Sequence, residues 1–165
     1  MVRAVHGARV LCWSRIDHPG NRNAPMTFTR PALRLGDAGA RALLDAAVDH
    51  ARAMGVPQCI AVVDDGCNLK AFIRMDGARV HSIRTARLKA MTAASLARPT
   101  GGLDAEVGMK LAIATGGDLT NLGGGLPVIV DGEVIGGIGV GSGSTEQDIE
   151  VAKAALAGFP GAETF

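Results

Sequence analysis

The chain alternates between two hydrophobic periods, and each change of period falls at glycine, proline or Asx residues. From Leu35 to Met54 the apolar positions Ala40, Leu43, Leu44, Ala47, Val48 and Ala51 recur at helical spacing. Asp37 stands near the start of this helix, and Gly55-Val56-Pro57 stops it. Cys59 to Val63 and Leu69 to Ile73 are short apolar, β-branched runs joined through Asp64-Asp65-Gly66-Cys67-Asn68, a hairpin that Met75 to Ala78 closes. Val80 to Leu96 returns to helical spacing through Ile83, Ala86, Leu88, Ala90, Met91, Ala94 and Leu96, until Pro99-Thr100-Gly101-Gly102 breaks it. Leu103 to Ala114 predicts a shorter helix, with Asp104 and Glu106 as its N-terminal charges, and Thr115 to Gly125 a loop.

The stretch from Gly123 to Leu156 carries the densest signal. Leu126 to Val130 and Glu133 to Val140 flank Asp131-Gly132, a dipeptide that supplies the positive φ of a two-residue hairpin turn. Gly141-Ser142-Gly143 follows, and Ser144 and Thr145 can cap a helix, with Gln147 and Asp148 three residues beyond them. Ile149, Val151, Ala152, Ala155 and Leu156 form the apolar face of that helix. The order is helix, hairpin, helix, then helix, hairpin, helix. It predicts an α+β fold, one antiparallel sheet with helices packed on it, rather than a parallel doubly wound one.

Residues 1–31 lack this patterning. Arg3, Arg9, Arg15 and Arg22 lie among His6, His18, Pro19 and Pro25, with Asp17 the one acid. They read as an extension outside the core, with Met26 a natural start, leaving 32–165 as one domain. Val10 to Trp13 is too short for the apolar centre of a secretory leader, so a cytoplasmic protein is expected. A net charge of +1 gives no general attraction to nucleic acid or membrane, and the four Phe, one Trp and no Tyr cannot build a stacking platform for single strands. Cys12, Cys59 and Cys67 lack metal-ligand spacing, so no metal site is expected. A mean hydropathy of +0.22 predicts a homo-oligomer in which a partner copy covers apolar helix surface such as Ala40 to Ala51.

Candidate chemistry falls in two places. Backbone N–H groups at Ser142, Gly143, Ser144, Thr145 and Glu146 converge at a helix start, where a carboxylate or phosphate is favoured; the alternative is a tight strand-to-helix turn. Gly137, Gly139 and Gly141 do not make a dinucleotide fingerprint, because a hairpin precedes them rather than a βαβ unit. A Walker loop is excluded, since no lysine lies between Lys110 and Lys153. Ser82, Thr85, Lys89 and Thr92 share one side of the second long helix. Lys89 there can bind a carboxylate or act as an acid/base or amine catalyst tuned by Asp76. The alternative is a lysine that snorkels to solvent or is neutralised by Asp76. His81 stands at the start of that helix and can ligate haem iron; Asp64 and Asp65 read as turn formers.

Several of these runs occur together as an ordered set. Val62-Val63-Asp64 with Gly66, Phe72 to Ala78, Lys89-Ala90 with Thr92-Ala93, and Pro99-Thr100 come first. Gly125 to Val128, Asp131-Gly132, Gly137 to Val140 and Glu146-Gln147-Asp148 complete it. The set resembles the GlcG/HbpS family over roughly residues 32–158. The resemblance implies a profilin-like fold, an antiparallel sheet flanked by helices, assembled into dimers and larger oligomers. It also implies haem or corrinoid association in some members, and haem degradation in the HbpS type. Two positions depart from the family pattern: Gly141 replaces a common serine, and His81 a small residue. The expectation is a small-molecule or tetrapyrrole site between the Lys89 helix and the Ser142 to Asp148 loop. There the protein either clamps haem propionates, with His81 or Thr92 near the iron, or catalyses a reaction of a small organic acid through Lys89. A structural or accessory subunit without ligand is the third reading.

Overall fold

The computed structural model describes residues 28–165. The expected extension therefore lies, for residues 1–27, outside the described residues. In chain order the elements are α1 (Asp37–Ala53), β1 (Cys59–Asp64), β2 (Leu69–Arg74), α2 (Ser82–Leu96), α3 (Ala105–Ala114), β3 (Gly125–Val130), β4 (Glu133–Gly141) and α4 (Thr145–Ala157). The strands form one sheet in the order β2-β1-β4-β3, and every pairing is antiparallel. This is the α+β arrangement expected from the two hairpins. Asp131 and Gly132 both take positive φ, 51° and 77°, as the tight turn between β3 and β4 requires.

The central strands β1 and β4 are covered on both faces, so they carry unbroken apolar runs rather than strict alternation. Ile60 and Val62 of β1, with Ile138 and Val140 of β4, pack against Leu43, Ala47 and Ala51 of α1 and Val151, Ala155 and Leu156 of α4. Cys59, Ala61 and Val63 turn the other way, onto Ala86, Ala90 and Ala94 of α2. The apolar stripe of α1 thus faces this chain's own core, where Leu43, Ala47 and Ala51 are fully buried, and is not the surface a partner copy covers.

Gly137, Gly139 and Gly141 of β4 belong to this second layer. A Cβ at Gly139 would lie 2.1 Å from the Ala86 carbonyl oxygen and 2.4 Å from Ala90 N, and one at Gly137 would lie 2.4 Å from the Ala90 carbonyl oxygen. Only a strand without side chains on that face lets α2, with its row of alanines, lie so close. These three glycines serve helix–sheet contact.

Helix α3 is the exception to the layering. Asp104 caps it by accepting from the N–H groups of Glu106 and Val107. Gly108 is its one buried residue, pressed on Asn121. Met109 and Ile113 are 68% and 76% exposed. Among the described residues no helix is long and apolar enough to cross a membrane.

Candidate functional site

Lys89 comes from the middle of α2 and reaches across the end of β4 to α4. It is 5% exposed, and its Nζ donates to Asp148 Oδ2 and to the Val140 carbonyl oxygen, both at 2.7 Å. Asp148, 3% exposed, accepts the Gly143 N–H at 3.0 Å through its other oxygen. Gly124 leaves room for this pair, since a Cβ there would lie 2.7 Å from Asp148 Cβ and 3.1 Å from Lys89 Nζ. The expected geometry, an ammonium and a loop N–H holding one carboxylate, is therefore present, but the carboxylate is the protein's own. Lys89 does not snorkel, and Asp76 is not its partner. Asp76 is exposed in the turn after β2 and forms no ion pair among the described residues. Asp148 was legible in the sequence as a residue near a helix cap; only a burial signal would have marked it as a counter-ion.

The Ser142 to Glu146 loop is also internally satisfied. Gly143 N donates to Gln58 Oε1 as well as to Asp148. Ser144 and Gln147 form a reciprocal capping box at the start of α4. The Ser144 hydroxyl donates to Glu146, whose carboxyl is held below the ordinary value first by its own backbone N–H and then by that hydroxyl. Thr145 is exposed at the first position of the helix, and its methyl is close enough to Gly123 to exclude a Cβ there. Ser142 takes φ 103°, a rare conformation for a residue with a side chain, and its Oγ accepts the Arg79 N–H at 2.8 Å. That bond ties the end of β4 to the turn that opens α2. Gln58, fully buried, places its Nε2 over Gly143 without a protein partner for that nitrogen. It is a polar core residue that sequence reading passed over.

The polar side of α2 is brought together as expected, against the sheet. Ser82 and Thr85 face Gly141, where a Cβ would lie 3.6 Å from Ser82 Cβ and 3.2 Å from Thr85 Oγ1. The buried Thr92 hydroxyl oxygen accepts the Thr120 N–H at 3.0 Å, which fixes the loop before β3. Small polar residues at these positions permit the close approach already imposed by Gly137 and Gly139.

With fold and geometry in hand, the comparisons decide the lineage. A family model described as haem degrading protein HbpS-like matches residues 35–157. This chain belongs to that family. Protein GlcG of Escherichia coli K12 is 40% identical over 102 residues, 61% of this chain and 76% of GlcG. Klebsiella pneumoniae protein ORFY superposes with a TM-score of 0.76 at 31% identity, covering 85% of this chain and all of that one. PduOC, solved as its haem complex, superposes with a TM-score of 0.74 at 31% identity, covering 80% of this chain and 99% of PduOC.

Within the HbpS-like fold, one group of open side chains lies at the start of α2. His81 is exposed, and its side chain caps no backbone group and forms no hydrogen bond among the described residues. Val80 and Ile83 beside it are 66% and 39% exposed. Arg84 and Arg87 are exposed on the following turns, and Arg84 reaches the loop at Gly117.

Proposed function

We propose that this protein binds haem, or a tetrapyrrole with the same carboxylates, on the surface at the start of α2. The observation that carries the reading is the His81 imidazole, exposed at the start of α2 and without a side-chain hydrogen bond among the described residues. A neutral imidazole is a common iron ligand. Val80 and Ile83 offer apolar contact to a macrocycle face, and Arg84 and Arg87 offer forked donors to propionates. Membership of the HbpS-like family and the likeness to the PduOC haem complex support the same ligand class. When bound, haem supplies the redox chemistry of its iron; the residues of this chain bind, orient and shield it.

Thr92 is left out of the iron's surroundings, because its hydroxyl is buried against Thr120. Lys89 acts here as a support rather than as a catalyst, since Asp148 and Val140 occupy its ammonium. Ser142 holds the backbone that leads into His81 through the Arg79 N–H, and Gly143 fixes the Asp148 carboxylate that pairs with Lys89.

A cleft away from His81, at the other end of α2, has a volume of about 240 Å³, below the roughly 300–1,000 Å³ of pockets that enclose a drug-sized ligand. On this reading a tetrapyrrole lies on the exposed surface around His81 and Val80, and a second copy completes its cover. The exposed apolar residues Val107, Met109, Ile113 and Leu122 on and beside α3 supply surface for that self-association.

Titration with haemin tests the reading. A saturable Soret shift is expected, and His81→Ala should weaken binding about tenfold or more and change the band position. Arg84→Ala with Arg87→Ala should weaken binding while the band position stays. An unchanged spectrum and affinity in His81→Ala would overturn the assignment.

A further inference from the structure

At the opposite end of α2, about 22 Å from His81 by the rise of a 15-residue helix, a concavity opens where β3 begins. Its walls are Pro99 and Thr100 after α2, Leu126 of β3, Ile149 and Lys153 of α4, and Phe165. Ile149 and Lys153 are four residues apart and so lie on one face of their helix. The lining is mainly apolar: Leu126 is almost wholly buried beneath it, and the Phe165 ring remains partly exposed at its edge.

Two hydrogen-bond donors break the apolar lining. Lys153 is exposed and forms no ion pair among the described residues, whereas its neighbour on α4, Glu150, is engaged with His50. Thr100 Oγ1 accepts the Gly125 N–H at 2.9 Å, which leaves its own hydroxyl proton to donate. The volume of about 240 Å³ corresponds to about eight waters at roughly 30 Å³ each. Apolar walls, one cation and one hydroxyl donor complement a small monocarboxylate with an aliphatic tail.

We propose that this cleft binds such a carboxylate, its head between the Lys153 ammonium and the Thr100 hydroxyl and its tail on Leu126, Ile149 and Phe165. The site is independent of the haem reading, which uses the other end of α2, so each stands or falls alone.

Hexanoate is the probe, titrated into the full-length protein and followed by amide chemical shifts. Saturable shifts are expected at Thr100, Leu126, Ile149, Lys153 and Phe165. Hexanol should bind about two- to fivefold more weakly, because an ion pair at a rim contributes on that scale, and hexylammonium, which repels Lys153, more weakly still. Lys153→Gln should weaken hexanoate by about fivefold with an unchanged unfolding midpoint, and Lys153→Arg should retain binding. No saturation at about 50 mM, far above a millimolar Kd, would overturn the proposal. So would hexanol binding as tightly as hexanoate, or a Lys153→Gln variant that binds like the parent.

Discussion

Lys89→Met tests the buried ion pair directly, because it keeps the length of the stem and removes the ammonium. Two hydrogen bonds of 2.7 Å are lost, leaving Asp148 Oδ2 and the Val140 carbonyl oxygen without their donor in a region almost closed to water. Asp148 keeps one bond, from Gly143 N. Removing one partner of a buried pair costs about 3–5 kcal/mol, chiefly because the remaining charge is uncompensated. That is a large share of the roughly 5–15 kcal/mol by which a domain is stable. At about 2–4 °C per kcal/mol, the melting temperature should fall by roughly 6–20 °C. Urea unfolding followed by circular dichroism gives the free energy, and calorimetry the temperature. The double variant Lys89→Met/Asp148→Leu removes both charges, so it should lose less than the sum of the single variants, by about 2 kcal/mol or more. Asp76→Asn serves as the control and should stay within about 0.5 kcal/mol of the parent. A Lys89→Met loss of about 0.5 kcal/mol or less, or strict additivity in the double variant, would refute this account of the pair.

Two further outcomes follow from the structure. Burial raises the Asp64 carboxyl, but the Asn68 backbone and side chain, the Gly66 N–H and the Lys70 charge outweigh it and hold the group below 3.8. A depressed carboxyl contributes stability that is full above its unfolded value and is lost as pH falls through the folded one. Stability should therefore drop more steeply below about pH 3.8 in the parent than in Asp64→Asn, and equal slopes of urea midpoint against pH would refute this. Ile113→Glu, on the exposed face of α3, should shift sedimentation toward smaller species; a parent that already sediments as a monomer of 16.9 kDa would remove the basis for self-association through that helix.

The local architecture was legible because its causes are local. The Asp131-Gly132 turn, the Ser144–Gln147 capping box and the stop at Gly55-Val56-Pro57 each depend on residues a few positions apart, and all occur as read. The two hairpins required antiparallel pairing, and the ordered set of runs from Val62 to Asp148 was specific enough to indicate the HbpS-like family.

The site depended on contacts across much longer separations. Lys89 and Asp148 are 59 positions apart, so nothing in the helical spacing of Ser82, Thr85, Lys89 and Thr92 could distinguish a ligand-facing side from one pressed on the sheet. A lysine beside the nearby Asp76 and one paired with the distant Asp148 have the same local sequence. The glycines of β4 are equally ambiguous: a phosphate-binding turn and a strand stripped for helix contact call for the same residue, and only the 2.1 Å approach of Ala86 O to the missing Gly139 side chain separates them. Hydropathy likewise records how much apolar surface a helix carries but not where it points. Tertiary packing buried the stripe of α1 and left Met109 and Ile113 of α3 in solvent, because the two sheet faces were already filled by α1 with α4 and by α2.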